Sequence, residues 1–239
     1  MIRRLLVIFV GLGLRGVMIQ PLFAQHLSSR IQETTTEHFT LTPNATIRIN
    51  DSFGNIHIEG WNEPEVEITV IKTLPYDTDK SKSDKGLKVV QVVTGRKSDN
   101  ELVISTTVAT HDSLLSSVAR TKTDVQLEYQ IHAPRDSKLV IHHGDGSVIV
   151  SDILGNIDAN SSRGDIVVMV PDPESRLVDA RTRFGPIASD FSGAMHRKHL
   201  IGQSFVSGKA SDSASIRLRM GYGGITVKTL PKEAYTADQ

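Results

Sequence analysis

Gly146-Ser147-Val148, Gly164-Asp165-Ile166, Gly185-Pro186-Ile187 and Gly223-Gly224-Ile225 repeat one phrase: a glycine, one further residue, then a β-branched apolar residue. The apolar positions are 148, 166, 187 and 225, with gaps of 18, 21 and 38. The last gap is two steps of 19, and Val206 lies at the halfway point. A period of this length marks a stacked repeat, in which each unit buries its apolar face only against its neighbours. A second series runs between the first: Leu139/Ile141, Ile157/Ala159, Val178/Ala180 and Ile216/Leu218. Each repeat of about 20 residues therefore supplies two short strands and two corners, and the corners are where glycine tolerates positive φ or close backbone approach. The expected fold is all-β: a right-handed parallel β-helix-like solenoid of short strands, with equivalent aliphatic side chains stacked in columns.

The rest of the chain agrees with a β architecture. Thr46-Ile47-Arg48-Ile49-Asn50, Asn55-Ile56-His57-Ile58-Glu59, Val66-Glu67-Ile68-Thr69-Val70, Leu102-Val103-Ile104-Ser105 and Val125-Gln126-Leu127-Glu128-Tyr129 alternate with period two. Such alternation points one row of side chains inward and the next outward. Asx-, Gly- and Pro-containing turns separate these runs. Asp77 to Val90 is the single helix candidate, and the absence of a long apolar stripe limits it to one or two turns. The expected organisation is a domain over 35–230, with irregular N-terminal strands, hairpin insertions and a loose tail over 231–239. The polar segments 71–101 and 108–123 are expected to protrude as loops.

Residues 1–24 read as a secretory signal peptide: a basic start at Arg3 and Arg4, an apolar run from Leu5 to Leu14, and Ala24 near a cleavage point. The apolar run is half the roughly 20 residues that span a bilayer, and Arg15 interrupts it. An uncleaved N-terminal anchor is the alternative. The expected location is periplasmic, outer-envelope or extracellular. The absence of cysteine excludes disulfides, thiolate metal sites and a cysteine nucleophile. Setting aside Arg3, Arg4 and Arg15 leaves 24 of the 27 basic residues against 27 acidic ones. That balance, with no basic run and few aromatics, argues against nucleic-acid binding.

The chain resembles the DUF4097-type bacterial adhesin family. The carrying residues are Phe53-Gly54-Asn55-Ile56-His57-Ile58-Glu59-Gly60-Trp61, Tyr129-Gln130-Ile131-His132-Ala133-Pro134, and the glycine series from Gly146 to Gly224. The resemblance covers about residues 40 to 230. It implies a right-handed β-helix, a surface-interaction role and a possible link to envelope stress or membrane signalling, and it carries over no catalytic residue.

Several constellations could carry chemistry. His142-His143-Gly144-Asp145 is the densest polar cluster, but adjacent histidines on a strand face opposite ways, so one at most could join Asp145 around a metal. Arg197 and Lys198 oppose a cation at His196 and His199. Gly144-Asp145-Gly146-Ser147-Val148 has the start of the calcium nonapeptide of RTX β-rolls but lacks its repeat at nine. Asp145, Asp158 and Asp165 offer only scattered oxygens. Arg163-Gly164-Asp165 matches an integrin tripeptide at a place where a corner already requires glycine. Asn44-Ala45-Thr46 and Asn160-Ser161-Ser162 match glycosylation acceptors. Trp61 is expected to cover the core at a turn. No catalytic, cofactor-binding or metal-binding residue is expected. The expected function is a non-catalytic secreted or envelope module that contacts an envelope protein or glycan. The alternative is a polysaccharide lyase or hydrolase, which would require Asp145, Arg163 and Asp165 to meet at stacked corners.

Overall fold

A computed structural model describes residues 30–75, 87–108, 125–171, 176–190, 192–197, 201–207 and 214–230. The expected signal peptide, the 231–239 tail, most of the helix candidate and nearly all of the 108–123 insertion lie outside the described residues. Residues 87–89 carry the only helical backbone among those described.

Described strands are β1 (Arg30–Thr40), β2 (Thr46–Phe53), β3 (Asn55–Trp61), β4 (Glu65–Pro75), β5 (Val90–Ser98), β6 (Glu101–Val108), β7 (Gln126–Pro134), β8 (Lys138–Asp145) and β9 (Val148–Ser151). They continue with β10 (Ile157–Arg163), β11 (Ile166–Val170), β12 (Leu177–Phe184), β13 (Ile187–Ser189), β14 (Ala194–Arg197), β15 (Gln203–Ser207), β16 (Ser215–Tyr222) and β17 (Ile225–Thr229). They form two large mixed sheets, ordered β1-β4-β7-β3-β9-β11-β17-β13 and β14-β15-β12-β16-β10-β8-β2-β6-β5. The segment 71–101, expected as a loop, holds the end of β4 and all of β5.

The glycine phrases mark where the chain passes from one sheet to the other. Gly54, Gly146, Gly164, Gly185 and Gly223 separate β2/β3, β8/β9, β10/β11, β12/β13 and β16/β17, and all five have positive φ. Within each sheet the members of these pairs lie parallel. In the first sheet Ile56, Val148, Ile166, Ile225 and Ile187 form one cross-strand column. In the second, Ile47, Leu139, Ile157, Ile216 and Val178 form another, with Ile49, Ile141, Ala159, Leu218 and Ala180 beside it. All of these side chains are buried, and burying each one stabilises the fold by about 1.5–3 kcal/mol, less for alanine.

Two features depart from the expected solenoid. The stack is not built in chain order, because the last repeat, β16/β17, lies between β10/β11 and β12/β13. The cause is local: β15 pairs antiparallel with one edge of β12, so β16 takes the slot between β12 and β10. Antiparallel strands close one end of the first sheet, β1, β4 and β7, and both ends of the second, β5 and β14–β15, while the other end of the first sheet is β13, parallel to β17. The architecture is therefore two mixed sheets, not a closed β-helix. Val206 is the second departure. It occupies the expected halfway position, yet it points outward from β15 and is 42% exposed, while Phe205 fills the core beside it.

Candidate functional site

A line of side chains at the rim of the stack unites residues singled out in the sequence with two that were not. The residue immediately before each corner glycine is Phe53, Asp145, Arg163, Tyr222 or Phe184 in spatial order across the second sheet. The backbone fixes this column. Gly54 N donates to Asp145 O at 2.7 Å, Gly146 N to Arg163 O at 3.2 Å, Gly164 N to Tyr222 O at 3.0 Å and Gly223 N to Phe184 O at 2.7 Å. The hydrogen-bond ladder thus runs through the corners without interruption, which holds neighbouring rim side chains at strand spacing.

Arg163 donates to Asp145 Oδ2 from Nε at 3.1 Å and from Nη2 at 2.9 Å. Both side chains are more than half exposed, so the pair is worth about 0–1 kcal/mol of stability and remains open to a partner. Beside it the rings of Tyr222 and Phe184 stack with centroids 4.6 Å apart and planes 8° apart. Both rings are exposed, and the Arg183 guanidinium carbon lies 5.8 Å from the Phe184 centroid. Stacking and exposure together make this pair the largest aromatic feature on the described rim. Asp165 takes no part, because its Oδ1 accepts from Gly224 N at 2.7 Å and closes a corner. The corners therefore bring Asp145 and Arg163 together and assign Asp165 to the backbone.

The sequence missed Phe184 and Tyr222 as partners because they lie 38 residues apart, and Phe184 contacts Tyr222 only through the out-of-order insertion of β16. The signal was nevertheless present: every corner glycine is preceded by an aromatic or charged residue.

The flat face of β12 and β16 adjoins this rim. Asp179 Oδ2 accepts from Arg219 Nη2 at 2.6 Å, and its Oδ1 accepts from Arg181 Nε at 3.0 Å. Partial burial pushes the Asp179 carboxyl up, but Arg219 and Arg181 outweigh it and hold the group below the usual carboxylate range. Arg217 reaches Asp158 at 3.5 Å.

The two adjacent histidines face opposite ways, as alternation requires. His142 is exposed, with Nδ1 3.4 Å from Asn50 Oδ1. His143 is buried, and its Nδ1 lies 2.8 Å from Ser52 Oγ. It belongs to an inward row of Ser52, His143, Ser161, Met220 and Thr182 beneath the corners. Thr182 Oγ1 donates to Gly223 O there at 3.1 Å. Burial pulls the His143 pKa below the ordinary histidine value, against the opposing pull of Asp145. The sign follows from linkage. The unfolded chain takes up a proton near about pH 6.5 while the folded chain resists it, so His143 costs stability as pH falls below that value. His143→Asn keeps a partner for Ser52 Oγ and removes the titrating ring. Urea midpoints measured at about pH 7.5 and 5.5 are expected to fall less on acidification in this variant than in the parent chain. An equal fall in both would show that His143 contributes nothing to acid sensitivity.

A second polar array crosses the outside of the first sheet. His132 Nδ1 lies 3.2 Å from Glu67 Oε1 and its Nε2 3.8 Å from Glu59 Oε2, while His38 lies 3.8 Å from Glu65 and 3.7 Å from Glu67. Each imidazole meets its carboxylates at opposite nitrogens, so the donors diverge. Among the described residues no group of three or more metal-type ligands converges. His196 is exposed on β14, and His199 lies outside the described residues. Trp61 does not cover the core. Its indole donates to Glu65 O at 2.8 Å and its ring stacks on His132 at 5.2 Å on the outer face.

No family model matches the chain, and no curated protein matches it. Among solved structures it is similar to a putative cell adhesion protein from Clostridium sporogenes, at 12% identity over 82% of this chain and 100% of that one, with a TM-score of 0.43. It is similar to a putative adhesin from Bacteroides fragilis at 14% identity, over 83% of this chain and 97% of that one, with a TM-score of 0.26. A putative lipid binding protein from Parabacteroides distasonis aligns at 8% identity, over 81% of this chain and 96% of that one, with a TM-score of 0.24. These likenesses are too distant to carry a function to this chain.

Proposed function

We propose that the protein is an exported, non-catalytic, adhesin-like envelope module of the DUF4097 type that binds its partner through the corner rim and the sheet face beside it. The observation that supports this reading is the exposed Tyr222–Phe184 stack, set in line with the Arg163–Asp145 pair on a rigid backbone ladder. Aromatic and arginine side chains are the residue types that dominate binding energy at interfaces, and exposed apolar surface rimmed by polar groups marks interaction sites. The polar groups here suit contact better than turnover. Asp145 accepts from the Arg163 guanidinium and Asp165 from a backbone N–H, so each carboxylate is engaged by a structural partner.

The test is retention of envelope fractions and arrayed glycans by immobilised protein at low salt, with the Tyr222→Ser, Phe184→Ser double variant beside it. Retention by the parent chain and its loss in the variant are expected. An undiminished signal in a folded variant moves the contact elsewhere on the surface. Absence of any retained partner by the parent chain ends the binding role.

A further inference from the structure

We infer that the outward face of β12 and β16, together with the aromatic pair at its corner, binds an anionic polysaccharide bearing carboxylates. This deepens the interaction-module reading and rests on it. Parallel register sets Asp179 beside Arg217 and Arg181 beside Arg219, with Arg183 one position further along the face. Neighbouring strands lie about 4.8 Å apart and same-face residues about 6.6 Å apart, so these four arginines form a compact grid.

Asp179 organises the grid without abolishing its charge. It takes hydrogen bonds from Arg181 and Arg219, and Arg219 Nη1 also donates to the carbonyls of Asp179 at 2.8 Å and Leu218 at 2.9 Å. Those two guanidiniums are thereby held in place. Arg217 is 63% exposed and spans 3.5 Å to Asp158, and Arg183 is exposed and reaches over the Phe184 ring. These two present their planar forks to solvent, the geometry that matches a carboxylate with two parallel hydrogen bonds. Four arginines against Asp158 and Asp179 leave an excess of two positive charges on this face. Tyr222 and Phe184 close its end with apolar surface for a sugar ring and a phenol hydroxyl for its polar edge.

The opposite exterior has the opposite character. The outward residues of β4, β7 and β3 include Glu59, Glu65, Glu67 and Glu128 and, among the described residues, no lysine or arginine. A polyanion is therefore repelled from one side and drawn to the other, which orients the encounter. Nucleic acid fits poorly, since an excess of two charges falls short of the six to ten phosphate contacts that give such binding its strength.

The test uses the purified full chain and oligogalacturonate as probe, with dextran, anionic lipid vesicles and double-stranded DNA as counter-probes, all titrated at low and moderate salt. Binding to oligogalacturonate that weakens with salt, with little binding to dextran, is expected. Arg183→Ser with Arg217→Ser is expected to weaken binding about tenfold or more, since each removes a charged hydrogen-bonding group. Tyr222→Ala is expected to weaken it while leaving the salt slope unchanged. Glu59→Gln with Glu128→Gln on the opposite exterior is expected not to weaken it. Far-ultraviolet circular dichroism checks that each variant is folded. Equal affinity for dextran, preference for vesicles or DNA, or full binding by the double arginine variant overturns the inference. Retention of envelope fractions without oligogalacturonate binding overturns this inference alone, and loss of both overturns the interaction role too.

Discussion

Gly164→Ala is expected to prevent the chain from folding, or to lower its melting temperature by about 10 °C or more. Gly164 has φ +108°, a region where an L side chain costs about 1–2 kcal/mol. The larger cost is steric. A Cβ at Gly164 would fall on the carbonyl oxygen of Gly146, well inside the 3.0 Å that real Cβ contacts respect. That oxygen belongs to a corner that cannot rotate away, because a Cβ at Gly146 would meet Gly54 O in turn, and Gly223 packs on Gly164 O from the other side. Relief would require a shift of the whole glycine column and of the ladder that passes through it. The combined cost is of order 4 kcal/mol, a large share of the roughly 5–15 kcal/mol that stabilises a typical domain. Gly95→Ala is the control, since a Cβ there meets nothing within 4 Å. It is expected to be neutral or slightly stabilising. Both are read by thermal melting followed by circular dichroism. A Gly164→Ala chain that melts within about 2 °C of its parent would show that these corners tolerate a side chain and do not fix the stack.

This column explains what the sequence could and could not reveal. The glycine and the apolar residue two positions later are both dictated by the corner, so the pattern at Gly146/Val148, Gly164/Ile166, Gly185/Ile187 and Gly223/Ile225 was readable as stacked strands. Alternation also set His142 and His143 on opposite faces, and the structure puts His142 outside and His143 inside. What was hidden is the order of stacking. Ile225 pairs with both Ile166 and Ile187, yet nothing local in Ile225 distinguishes that slot from the end of the stack. The choice was made elsewhere, by β15 covering the edge of β12. Periodicity alone likewise misjudged Val206, because an antiparallel strand that breaks the repeat can still carry an apolar residue at the repeat spacing. The site suffered from the same gap. Asp145 and Arg163 follow each other in adjacent repeats and could be linked on paper, whereas Tyr222 and Phe184 meet only once the order is known. Trp61 was misplaced because a turn tryptophan has apolar surface enough for a core, and only the neighbouring His132 reveals that it lies on the outer face.

Ile166→Ala is expected to cost about 3–4 kcal/mol, the middle of the range for truncating a buried isoleucine. Ile166 is fully buried in the middle of its column, between Val148 and Ile225, with both neighbours held in parallel register. Neither neighbour can move into the void without leaving its own partner, since Val148 also packs against Ile56 and Ile225 against Ile187. Ile187→Ala makes the same chemical change at the end of the column. There β13 is three residues long, the side chain is 7% exposed, and the strand lies at the sheet edge where it can settle. Its expected cost is about half as large, because a site that collapses leaves less cavity. Val167→Ala, on the outward side of the same strand, is expected to change stability by about 0.5 kcal/mol or less. Urea unfolding of the three variants under one condition gives the ranking directly. If Ile187→Ala costs as much as Ile166→Ala, the two sites share one environment and the column has no interior, which would remove the basis for reading these isoleucines as a continuous stack from Ile56 to Ile187.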